Sequence, residues 1–103
     1  MDVLLVDTLS VPGGAERALA HLAAALPATG IRPRAIVGET GPLVGWLEAG
    51  HCPVEVADDL GESIRRSLAS HATDAVLSVG ARGHLAAAPA AAEAEVPAVW
   101  WME

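Results

Sequence analysis

Short unbroken apolar runs alternate along the chain with stretches whose apolar residues return every three or four positions, a rhythm that predicts strands and helices in turn. Asp2-Val3-Leu4-Leu5-Val6-Asp7 is the first run, apolar between two acids, as in a strand covered on both faces. Thr8 to Gly14 follows as a loop of turn formers. Ala15, Ala18, Leu19, Leu22, Ala23 and Leu26 then line one face of a helix, with Glu16 in its first turn and Pro27 and Gly30 closing it. The rhythm repeats. Arg34 to Val37 predicts a second strand; Pro42 opens a short helix with Leu43, Trp46 and Leu47 that Gly50 ends. Pro53 to Val56 predicts a third strand, and Asp58 or Asp59 caps a helix whose face is Leu60, Ile64 and Leu68. Asp74 to Ser78 predicts the fourth strand. An alanine-rich helix begins near Ala81, with Pro89 expected to kink or interrupt it, and Pro97 to Trp101 is the fifth strand, its two indoles pointing to opposite faces.

Five strands alternating with four helices are βαβ units, so the expected fold class is α/β: a Rossmann-like, doubly wound parallel sheet. Right-handed crossovers favour the strand order 3-2-1-4-5. No linker or block of like charge divides residues 1–103, which read as one domain. The apolar segment Val96 to Met102 would normally feed a covering helix, so the expectation is the truncated opening part of a larger domain; the alternative is a small complete domain with a protected edge.

Composition removes several functions. With 13 acidic and 6 basic residues, none of them lysine, the formal charge is −7, against the cationic footprint nucleic acids require. Aromatic residues are limited to Trp46, Trp100 and Trp101, too few for a base-stacking platform. The longest apolar run, Leu85 to Ala92, has eight residues and includes a proline, against the roughly 20 that span a bilayer. No basic amphipathic helix argues for membrane attachment. The chain opens without a basic leader and holds a single cysteine, Cys52, so the expected compartment is the cytoplasm.

In open parallel sheets ligands bind beyond the carboxyl ends of the strands, where strand order reverses. Here that point falls between the first and fourth strands, flanked by Thr8 to Gly14 and Ser78 to His84. Gly13 and Gly14 leave bare amides at a helix start, suited to an anion such as phosphate; the alternative is a tight turn with no ligand. Arg82 could pair with a phosphate, and His84 could touch a ligand, each against the plainer role of a helix residue. Cys52 reads as a buried apolar thiol. The histidines show no metal-ligand spacing, so no metal or other cofactor is expected. A Walker A loop is excluded without lysine, and the dinucleotide fingerprint lacks its third glycine, which disfavours an oxidoreductase.

Val3-Leu4-Leu5-Val6-Asp7, followed by Pro12-Gly13-Gly14-Ala15-Glu16-Arg17-Ala18-Leu19, resembles the amino-terminal signature of family 4 glycosyltransferases, retaining enzymes of the GT-B fold. The similarity continues through Gly41-Pro42-Leu43, Gly50 to Val54, Asp74 to Arg82 and Val96 to Trp101, and its sharpest element is Gly13 to Arg17. The resemblance implies half of a GT-B enzyme, in which two Rossmann-like domains face each other across a cleft. The first receives the acceptor; the second holds the nucleotide-sugar donor through paired glutamates. It implies that Gly13 and Gly14 lie by the donor diphosphate, and that Ser78, Arg82, His84 and Glu103 are acceptor-side candidates. Two departures stand out: the carboxyl-terminal donor-binding domain is missing from these residues, and Glu103 stands where the family frequently has histidine. The expectation is part of a glycosyltransferase, inactive alone, with an acceptor the sequence does not identify. The competing reading is a non-catalytic Rossmann-like binding or interaction module.

Overall fold

The computed structural model describes residues 1–9 and 13–101. Strands β1 (Asp2–Asp7), β2 (Arg32–Val37), β3 (Val54–Val56), β4 (Ala75–Val79) and β5 (Ala98–Trp101) form one parallel sheet, ordered β3-β2-β1-β4-β5. Helices α1 (Gly14–Ala25), α2 (Pro42–Ala49), α3 (Leu60–Ser70) and α4 (Gly80–Glu93) supply the crossovers. The expected α/β class and strand order are therefore those of the structure.

β1 sits at the centre because it is apolar on both faces. Leu4 and Val6 pack with Ile64 of α3 and with Ala87, Ala90 and Ala91 of α4. Leu5 packs on the opposite face with Leu19 and Ala23 of α1 and with Leu43 and Leu47 of α2. Its neighbours run in parallel register: Val6 lies beside Ile36 of β2 on one side and Ser78 of β4 on the other. The two indoles of β5 divide as expected. Trp101 packs with the α1/α2 cluster, while Trp100, half exposed, stacks on His84 of α4.

Local chemistry sets the boundaries. The Asp59 side chain accepts the Glu62 amide at 3.1 Å and caps α3. α1 passes into a 3-10 turn, Leu26–Thr29, that ends on left-handed Gly30. β2 starts two residues earlier than the pattern suggested and includes Pro33. Ala35 donates its amide to Pro53; Pro33 faces the same edge, below the start of β3, where no partner asks for an N–H. α4 likewise runs through Pro89, against the expected interruption. Pro89 is exposed, and the carbonyl it leaves without an amide belongs to Leu85, which is also exposed, so the lost bond falls on the solvent side of the helix. Cys52 is buried in the α1/α2 cluster, as expected, and burial pushes its thiol up to about 11.

At the carboxyl ends of the strands the chain passes very close to itself. The Gly38 amide donates to the Asp7 carbonyl at 2.9 Å, and a Cβ on Gly38 would lie 2.7 Å from the Thr8 carbonyl oxygen. Gly38→Ala must push backbone apart and should destabilise the fold by about 1–3 kcal/mol. Gly45, within α2, has open space where its Cβ would be, so Gly45→Ala should stabilise by about 0.5–1 kcal/mol. Urea midpoints of the two variants should move in opposite directions from wild type.

Candidate functional site

β1 and β4 are the strands from which the chain winds away in opposite directions, and a crevice opens between their carboxyl ends. It measures about 200 Å³ and is lined by Asp7, Thr8 and Leu9 after β1, by Glu16 in the first turn of α1, and by Val79, Gly80, Ala81 and Arg82 where β4 turns into α4. The turn needs glycine: Gly80 has φ 74, a conformation costly for other residues. Larger hollows lie elsewhere. One, of about 390 Å³, runs between α1 and α2, where the Arg17 guanidinium sits 5.0 Å over the Trp46 ring. Another, at the amino ends of the strands, is lined by residues that hold the fold together. Arg32 pairs with Asp2 at 2.8 Å, and Arg34 bonds Ser67 at 2.9 Å and Thr73 at 2.7 Å. Position, rather than volume, selects the β1/β4 crevice.

Its chemistry centres on two carboxyls. Asp7 is 2% exposed and Glu16 is 7% exposed. The Asp7 Oδ1 accepts the Leu9 amide at 3.1 Å, while Oδ2 is sealed from solvent and takes no amide or hydroxyl donor. The neighbouring group is Glu16, another acceptor, and two carboxyls can bond only through a proton held between them. Burial first, and the Glu16 carboxyl second, push Asp7 from its ordinary 3.8 up to about 7; the Leu9 amide works in the opposite direction.

The residues singled out in the sequence divide around this crevice. Gly13 is the extended N-cap residue of α1, half-buried, and its carbonyl accepts the Arg17 amide at 3.0 Å. Gly14 is exposed, with open space where a Cβ would project, and no side chain caps the helix start. Neither glycine lines the crevice, although Glu16, one turn further on, does. Arg82 is exposed on the crevice wall. Ser78 is fully buried, its Oγ 3.0 Å from the His84 Nδ1 and 3.2 Å from the Val99 carbonyl, so it ties β4 to α4 and β5. His84 is half-buried under Trp100, with ring centroids 5.5 Å apart. Glu103 lies outside the described residues.

Asp7 and Glu16 were absent from the sequence-derived site. Their signal was an acid closing a strand covered on both faces, followed by a second acid in the next helix's first turn. Among the described residues no three His, Cys, Asp or Glu side chains gather as a metal site, and no helix is long and apolar enough to cross a membrane.

The chain resembles HepE of Anabaena, solved in complex with UDP-glucose, at 25% identity and a TM-score of 0.75, over 97% of this chain and 28% of HepE. MurG of Acinetobacter baumannii matches at 18% identity and a TM-score of 0.77, over 98% of this chain and 34% of MurG. The fold is that of a GT-B glycosyltransferase half-domain. It is also shared beyond glycosyltransferases: the C-terminal domain of the PF1911 hydrogenase of Pyrococcus furiosus matches at 18% identity and a TM-score of 0.77, over 97% of this chain and 90% of that domain. No protein-family model matches the sequence, and no curated protein matches it significantly. The chain spans about a third or less of the length of HepE and of MurG.

The raised Asp7 gives stability a pH dependence. Between 3.8 and about 7 the unfolded chain gives up the Asp7 proton while the folded chain keeps it. The associated stability is complete below 3.8 and is lost as pH rises through about 7. Asp7→Asn removes the ionisation, so its thermal midpoint should exceed wild type by about 5 °C or more at pH 8 and by much less at pH 4. Melting curves followed by circular dichroism at both pH values test this; parallel curves would contradict it.

Proposed function

We propose that this chain is the amino-terminal, acceptor-side part of a family 4, retaining glycosyltransferase, moving a sugar from a nucleotide-sugar to an acceptor, with the cytoplasm as its compartment. The observation that carries the reading is the likeness to HepE, a protein solved with UDP-glucose, which extends over 97% of this chain. A separate donor-binding domain would close the cleft over the carboxyl ends of β1 and β4, and residues 1–103 alone would transfer no sugar. Proximity needs both walls.

Within this half, the uncapped start of α1 suits the donor diphosphate. Twelve residues of helix direct their positive end towards it, and the exposed Gly14 leaves room for close approach. Amides of that kind stabilise charge on a departing diphosphate. Arg82 is the acceptor-side cation at the crevice; Ser78 and His84 hold the β4–α4 wall in place behind it. Glu103 is proposed on the resemblance alone.

A second reading has its own support. The PF1911 domain shares this fold over 90% of its length at 18% identity, which fits a Rossmann-like module that binds or docks without catalysis. Joining residues 1–103 to a donor-binding half-domain and titrating with UDP separates the two. The glycosyltransferase reading expects UDP binding, turnover of a UDP-sugar only by the joined protein, and at least tenfold weaker UDP binding in Gly14→Glu, whose side chain enters open space. No UDP binding, or unchanged affinity in Gly14→Glu, favours the docking module.

A further inference from the structure

The cleft between α1 and α2 holds a cation that no carboxylate answers. Arg32 pairs with Asp2, Arg65 pairs with Glu62 and Glu93, and Arg82 shares its crevice with Asp7 and Glu16. Among the described residues Arg17 makes no ion pair, and no acid lines its cleft. Its guanidinium is nevertheless held in place, 5.0 Å from the centre of the Trp46 ring. The indole has no lone-pair acceptor, so this contact consumes none of the guanidinium N–H donors. It also removes rotamer freedom that a ligand would otherwise have to freeze. Arg17 is exposed, so its donors are open to solvent.

Beyond the cation the cleft turns apolar. Ala20 and Ala24 follow Arg17 along α1, and Ala49 and Gly50 lie opposite at the end of α2; His21 is the other polar residue in the lining. From Arg17 to Ala24 the helix rises about 10 Å, the length of a small aromatic acid. The volume, about 390 Å³, falls within the roughly 300–1,000 Å³ of small-molecule sites. Charge selects the guest. A cation is repelled by Arg17. A phosphate dianion leaves charge unmatched, because the chain has no lysine and no second arginine lines the cleft. One carboxylate matches one guanidinium, oxygen for nitrogen, along its edge.

We propose that the α1/α2 cleft binds a small amphipathic monocarboxylate, with the Arg17 guanidinium donating to both carboxylate oxygens and the apolar body lying against Ala20, Ala24 and Ala49. The Trp46 ring keeps the guanidinium on the cleft wall. The cleft shares no lining residue with the β1/β4 crevice, so the site does not depend on the glycosyltransferase reading.

Two-dimensional NMR of backbone amides and indole N–H groups tests the site, with the chain titrated separately with phenylacetate, phenylacetamide, acetate and inorganic phosphate. Phenylacetate should give saturable shifts at Ala20, Ala24, Gly50 and the Trp46 indole, and none at Gly80 or Ala81 of the β1/β4 crevice. Phenylacetamide keeps the shape and loses the charge, while acetate keeps the charge and loses the apolar body. Each should bind about tenfold more weakly or worse. Arg17→Met, which leaves an apolar cover on the indole, should weaken phenylacetate about tenfold; Arg17→Lys, which keeps the charge without the planar fork, should weaken it less. Ala24→Leu fills the apolar end from an exposed helix position and should abolish binding, a result that stands even if Arg17→Met disturbs folding. The proposal is overturned if phenylacetate gives no saturable response or moves only Gly80 and Ala81. Equal binding of phenylacetamide, tighter binding of phosphate, or unchanged affinity in a folded Arg17→Met or Ala24→Leu overturns it as well.

Discussion

Everything in this fold follows from β1 being apolar towards both layers of helix. Leu4 and Val6 need the α3/α4 layer while Leu5 needs the α1/α2 layer, so the strand can sit only in the middle of the sheet. With β1 central, β2 and β3 lie to one side and β4 and β5 to the other, the order that right-handed crossovers favour. The place where the two halves part is then fixed at the end of β1, and the residue that closes β1 is Asp7. A packing requirement thus delivers an acid to the base of the crevice.

That acid is expensive for the chain to keep. Nothing in the α1/α2 or α3/α4 cluster needs a carboxyl at this position, and the Leu9 amide satisfies only one of its oxygens. Buried carboxyls that must share a proton are costly, and acids perturbed in this way concentrate where structure is given up for function. The adjoining turns are specialised as well: Gly80 turns β4 into α4 with a positive φ, and Gly38 admits the Thr8 carbonyl at a distance no side chain would allow.

Much of the architecture was legible in the sequence because burial on two faces writes itself as an unbroken apolar run, and a helix face as a three- and four-residue return. The capping role of Asp59 and the division of Trp100 from Trp101 follow from the same rules. Pro89 misled because sequence gives the presence of a helix breaker but not the exposure of Leu85, whose carbonyl it leaves without an amide. Asp7 and Glu16 were missed for a related reason. An acid at a strand end ordinarily marks where the chain meets water, and an acid in a helix's first turn ordinarily serves the dipole. Only three dimensions bring nine residues of separation into one sealed pair. Gly13 and Gly14 were prominent in sequence, yet the backbone does not demand glycine at Gly14, so any need for it comes from outside the chain.

Cys52 carries a further consequence. Thiol–disulfide exchange begins with a thiolate that can reach its target, and this one is packed behind α1 and α2 with its proton held until about pH 11. The folded chain therefore has no working sulfur nucleophile. Concentrated in air, its copies stay unbridged for as long as those two helices remain seated on the sheet.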